Sequence, residues 1–132
     1  MKSLFLLSTF CISMTFCFAQ TQLEINQNAD REYLKADKEL NKVYQAILKN
    51  YKTDIELIKN LKLTQRIWIQ FRDAEMKVKY PDRTDGHYGS IHLMCWSNYM
   101  QELTEDRINK LRTWLIPVSE GDSCAGSIER KD

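Results

Sequence analysis

Arg72 and Arg107 are the side chains of this sequence best able to organise chemistry around themselves. A guanidinium stays charged and carries five N–H donors in a fixed fork. Each of the two falls in a polar phrase set into an apolar helical rhythm, Gln65-Arg66-Ile67-Trp68-Ile69-Gln70-Phe71-Arg72-Asp73 and Leu103-Thr104-Glu105-Asp106-Arg107, and a third phrase, Ala36-Asp37-Lys38-Glu39-Leu40-Asn41, adds a carboxylate and an amide. Gln65, Trp68 and Arg72 are three and four residues apart and share one helix face. Trp68 is expected in the core, which places Gln65 and Arg72 at the core's edge. A buried polar group without a partner costs ~1–3 kcal/mol, and a charge more. Asp37, Asn41, Gln65, Arg72, Asp73, Thr104 and Arg107 are therefore expected to form a network, with Asp37 and Asp73 supplying carboxylates to the arginines from neighbouring helices. The set reads as an internal brace that fixes helix register, and a ligand site is the open alternative.

Catalytic chemistry finds little support. His87 and His92 are the two histidines able to titrate near neutrality, and they stand in or beside a loop. There is no nucleophile with an evident base, no Gly-rich phosphate loop and no histidine pair at metal spacing on a helix. Asp82, Asp85, His87 and His92 are the metal-ligand candidates, but Asp82-x-x-Asp85-Gly86 lacks the alternating ligands and terminal Glu of a calcium loop. It reads as a solvated polar loop. The expectation is a non-enzyme with neither metal nor cofactor.

Three long helices must position these residues. The first runs from Leu23 or Asn28 to Tyr51, with Ala29, Tyr33, Ala36, Leu40, Val43, Ile47 and Tyr51 in a four-three rhythm widened by Tyr44 and Leu48. Thr53-Asp54-Ile55-Glu56 reads as a capping box opening the second, so the two are antiparallel neighbours. The second buries Ile58, Leu61, Trp68, Phe71 and Val78 and stops at Tyr80-Pro81. Ser90 is the expected N-cap of the third, which carries Ile91, Met94, Cys95, Leu103, Ile108, Leu111 and Leu115 before Pro117. Helices of about 25 residues are about 40 Å long. No segment alternates as a strand does. The predicted fold is all-α, an antiparallel bundle of three long helices followed by an irregular C-terminal tail.

Residues 1–19 read as a cleavable signal peptide: Lys2, an apolar run from Leu4 to Phe18, and a small-x-small site at Cys17-Phe18-Ala19. The run is too short for a membrane anchor, and Phe10 and Phe16 before Cys11 and Cys17 do not fit a lipoprotein signal. Residues 20–116 then form the helical domain and 117–132 the tail, exported to a bacterial periplasm or secreted, with no membrane span after cleavage. The full chain has a formal net charge of +1. Without Lys2 the basic and acidic residues balance at 18 each, which argues against nucleic acid as a partner. Cys95 and Cys124 are left as an even pair in an oxidising compartment, where a disulfide tethering the tail is expected. Closing a loop of about 30 residues contributes about 3–4 kcal/mol on the chain-entropy model. Two unpaired thiols are the alternative.

The succession Ala36-Asp37-x-x-Leu40-Asn41-x-x-Tyr44, Gln65-x-x-Trp68-x-x-x-Arg72-Asp73-Ala74, Gly89-Ser90 and Leu103-Thr104-x-x-Arg107-x-x-x-Leu111 resembles the LprI-like lysozyme-inhibitor N-terminal domain, a family of small exported bacterial proteins. The likeness covers about Ala29 to Leu115. It implies long antiparallel helices and, for one lineage, inhibition of lysozyme, with a lysozyme or another envelope protein as partner. The resemblance implies one cysteine just after the Arg-Asp-Ala motif and another a few residues before the Leu-Thr motif, positions held here by about Met76 and Tyr99, with Cys95 and Cys124 as a replacement pair. A glycosidase cleft holds two carboxylates, so a blocking loop needs donors or cations beside an aromatic. In this chain that loop is Pro81–Gly89, and its candidate contacts are Arg83, His87 and Tyr88. The other reading is a non-inhibitory interaction module that binds through its helix faces, where Trp96, Tyr99 and Trp114 cannot all lie on one stripe.

Overall fold

The structure, a computed structural model, describes residues 2–131, with side chains from Thr21 onward. The signal-peptide reading of residues 1–19 rests on side chains that lie outside the described residues. Three α-helices follow one another, α1 (Lys2–Asn50), α2 (Ile55–Lys79) and α3 (His92–Arg112), and a short 3₁₀ turn (Thr113–Leu115) continues α3. Apart from an isolated bridge between Val118 and Arg130, the described residues form no β-structure. Among them, no helix is long and apolar enough to cross a membrane.

Successive helices are antiparallel, so α1 and α3 run the same way. Tyr33 meets Trp96 near one end and Tyr51 meets Trp114 near the other, both edge-to-face at 6.2 Å. The backbones of α1 and α3 approach closely along their length, and α2 stands off on larger side chains. Small residues account for the close approach: Ala29 and Ala36 on α1, and Ser97 and Thr104 on α3, are all buried. The expected stripe of α1 is core, with Leu40, Val43, Ile47 and Tyr51 joining Leu61 of α2 and Ile108 and Leu111 of α3 in one cluster.

Helix α2 departs from expectation on one face. Leu61 and Met76 are buried and Trp68 packs against the core, but Phe71 is 55% and Val78 75% exposed. With 100° per residue, Phe71 and Val78 lie roughly 60–100° around the helix from Leu61 and Trp68, on the side turned to solvent. Two faces of α2 are apolar, and only one can turn toward α1 and α3. Ile91, expected in the α3 core, is also 50% exposed, because it precedes the helix.

Both caps differ from those read in sequence. Asp54, not Thr53, caps α2, accepting the Leu57 N–H at 2.9 Å, and Glu56 pairs with Lys59 instead of closing a capping box. Ser90 does not cap α3. Gly89, at φ 70°, bends the chain into a turn closed by His92 N–H on the Gly89 carbonyl, so the helix begins at His92, one residue later than a Ser90 cap would give.

The expected disulfide is absent: Cys95 and Cys124 are free thiols, the first half-buried and the second exposed. The reason is geometric. Cys95 lies in the first turn of α3, whereas Ser127 and Glu129 of the tail dock beside its last, about 24 Å further along the axis at 1.5 Å per residue, so the tail is anchored at the end of α3 away from Cys95. Tyr51 does the tethering. Its hydroxyl donates to the Trp114 carbonyl at 2.8 Å and accepts the Glu129 N–H at 3.0 Å. Val118 pairs on either side of Arg130, and Ala125 is buried.

Candidate functional site

The polar residues read from the sequence do not join into one network. Asp37 is half-buried, and its hydrogen bonds are with Asn41 of the same helix, whose amide reaches the Asp37 carbonyl at 3.0 Å and a carboxylate oxygen at 3.4 Å. Arg72 has a side chain only 13% exposed, yet its carboxylate is its own neighbour: Nε and Nη2 both donate to Asp73 Oδ1, at 3.0 and 2.8 Å. Arg107 does bridge helices, donating from Nε to Gln65 Oε1 at 3.1 Å. Thr104 is completely buried and returns its hydroxyl to the Met100 carbonyl at 2.7 Å, where it acts as a satisfied spacer in the α1–α3 seam.

Trp68 links the two arginines. The Arg72 guanidinium lies 5.3 Å and that of Arg107 6.0 Å from its ring, so the ring adds to Asp73 as a partner of Arg72 and partly replaces a carboxylate at Arg107. Tyr33 connects α1 to this assembly. Burial pushes its phenol above the ordinary range, Arg72 pulls the other way, and Asp37 and Asp73 add to the rise. Tyr33, Arg72, Asp73, Met76, Tyr80 and Trp96 line an open cavity of about 410 Å³. Tyr99 donates to Glu75 at 3.1 Å, with the Lys79 ammonium over its ring. A polar clasp thus joins α2 to α3.

Above that cavity, the loop between α2 and α3 is a braced knob. Tyr88 donates its hydroxyl to the Pro81 carbonyl at 2.6 Å and stacks on His92 at 4.6 Å and 17°. Tyr80 and His87 pack edge-on against Tyr88 at 5.7 and 4.8 Å, and Tyr80 meets His92 at 5.0 Å. Arg83 and His87 remain exposed at the tip, whereas Tyr88 is half-buried as a brace. This aromatic cluster was not read from the sequence. Its signal was the recurrence Tyr80, His87, Tyr88, His92 on both sides of the turn. Among the described residues no group of three or more His, Cys, Asp or Glu side chains is placed to hold a metal.

A second surface went unread. Leu63, Ile67, Phe71 and Val78, between 46% and 75% exposed, form a stripe at helical spacing on the outer face of α2, with exposed Ala74 among them. Lys62, Arg66 and Lys77 flank it on one side without ion pairs among the described residues.

The profile of a family described as lysozyme inhibitor LprI matches residues 17–111. An uncharacterized protein of Rhizobium meliloti (strain 1021) is 32% identical over 105 residues, covering 71% of this chain and 73% of the relative. No solved structure matches.

Proposed function

This chain belongs to the LprI lysozyme-inhibitor family, and on that premise we propose that it is an exported, non-enzymatic binding protein whose α2–α3 loop enters the substrate cleft of a lysozyme. The observation that carries the reading is the braced knob. Tyr80, Tyr88 and His92 hold the loop in one shape while Arg83 and His87 are exposed at its tip, the His87 ring edge-on against Tyr88. A preformed loop loses less entropy on binding than a flexible one. Its two donors match the paired carboxylates of a glycosidase cleft. With basic and acidic residues nearly balanced, the protein has no long-range steering toward a basic lysozyme, so its association rate should depend only weakly on salt.

The test is inhibition of a panel of lysozyme types by the purified protein. The double substitution of Arg83 and His87 by Ala should abolish inhibition and lower the melting temperature only slightly, because both side chains are exposed and His87 makes a single edge contact with Tyr88. Equal inhibition by the double variant would overturn the loop as the contact. Tyr88→Ala is a different experiment, since it removes the brace and should weaken inhibition by loosening the loop.

The outer face of α2 favours a second reading, a non-inhibitory envelope interaction module. Apolar side chains spaced along one helix face and bordered by Lys62, Arg66 and Lys77 suit an acidic amphipathic partner. Phe71→Glu would abolish such binding and leave lysozyme inhibition by the loop intact.

A further inference from the structure

A cavity of about 330 Å³ lies between α2, α3 and the returning tail. Its apolar lining comes from three helices and the 3₁₀ turn: buried Ile47, Leu61 and Leu111, with Leu57 and Trp114 beside them. Ser127 of the tail borders it, as do Asn60 and Thr64. Its charged residues are Arg107 and Lys110, and no carboxylate is among the lining residues.

Arg107 is the unusual member. Arg72 has Asp73 and Arg112 has Glu39, whereas Arg107 has no ion pair among the described residues. It is half-buried, and burial alone shifts its pKa, downward. Its hydrogen bond goes to the neutral amide of Gln65, and the Trp68 ring at 6.0 Å supplies a further weak acceptor face. A guanidinium has five N–H donors, and a desolvated cation served by one amide and one ring remains short of acceptors. Lys110 adds a second unpaired cation at the same cavity. An apolar cavity with cations on its lining is the arrangement that holds an amphiphilic anion.

We propose that this cavity binds a small single-chain amphiphile with an anionic head, a fatty carboxylate being the simplest case, with its chain against Leu57, Leu61 and Trp114 and its head on Arg107 and Lys110. Trp114 and Ser127 lie beyond residues 17–111, so the side of the cavity that the tail completes falls outside the segment matched to the family. The proposal is independent of lysozyme inhibition.

Titration of the purified protein with sodium decanoate below its micellar range, followed by calorimetry and tryptophan fluorescence, tests it. Saturable binding of one decanoate per chain is expected. Decanol, with the chain but no charge, and acetate, with the charge but no chain, should each bind at least roughly tenfold more weakly. Arg107→Gln keeps an amide partner for Gln65 and should also lose roughly tenfold. If that variant does not fold, Lys110→Gln at an exposed position reads the same attraction through a severalfold loss. Leu57→Trp should fill the cavity and remove binding. Absence of saturable decanoate binding, equal affinity for decanol, or full affinity in both charge variants overturns the proposal.

Discussion

The α1–α3 seam and the outer face of α2 have similar apolar spacing and opposite fates. In the seam, Ala36, Leu40, Val43 and Ile47 meet Thr104, Ile108 and Leu111, and none of them is more than 7% exposed. On α2, Leu63, Ile67, Phe71 and Val78 repeat at intervals as regular, and none is less than 46% exposed. The seam carries small side chains at Ala29, Ala36, Ser97 and Thr104 that let two backbones close on each other. The α2 face has no such partner. Periodicity therefore reports which residues share a face, and the small residues opposite decide whether a face is covered.

The sharpest way to break this comparison is to truncate one residue from each face. Leu111→Ala opens a cavity in the seam and should cost ~3–4 kcal/mol, read as a large fall in the denaturation midpoint. Phe71→Ala removes more carbon from the outer face and should change stability by no more than ~0.5 kcal/mol in either direction. A large loss at Phe71 would mean that this face is covered in the protein's working state.

The comparison extends to the tail, which the seam's last residue holds. Tyr51→Phe removes a donor to Trp114 and an acceptor for Glu129, and should cost ~1–2 kcal/mol while raising amide exchange at Val118–Lys131. Cys124→Ser should leave both quantities unchanged, because the thiol is exposed and free. In protein expressed from Gln20 onward, two thiols per chain should titrate. Loss of tail protection in Cys124→Ser would restore the sulfur tether.

The smallest effect lies at the seam's edge. A hydrogen bond from Arg112 is the main cause that holds the Glu39 carboxyl below its ordinary range, with Lys42 assisting. A lowered folded-state pKa contributes stability above the unfolded value and loses it as pH falls through the folded one. Glu39→Gln should thus be slightly less stable than the parent at neutral pH and should converge with it in acid. Both groups are solvated and screened by salt, so the difference should shrink in high salt.

What was legible in the sequence follows from local chemistry. Helix existence, the α1 stripe, the stop at Pro81 and the family resemblance all rest on spacing within a few turns. The capping of α2 was misplaced by one residue because Thr53 and Asp54 are both competent acceptors, and only the entry angle of the chain chooses between them. The arginine network was half legible. Arg107 found Gln65 across α2 and α3, but Arg72 took one oxygen of the adjacent Asp73, since a contact within one helix needs no alignment of another.

The amino-acid sequence by itself determined three amphipathic helices, an all-α bundle and the residues of the α2–α3 loop. Tertiary structure alone decided that Tyr88 braces the loop instead of tipping it, that Tyr51 rather than a disulfide holds the tail, and that one apolar face of α2 remains in solvent. The reason is the same in each case. Helix formation depends on neighbours three and four residues away, whereas pairing between helices depends on axial stagger and separation, which side-chain volumes across the whole interface set together.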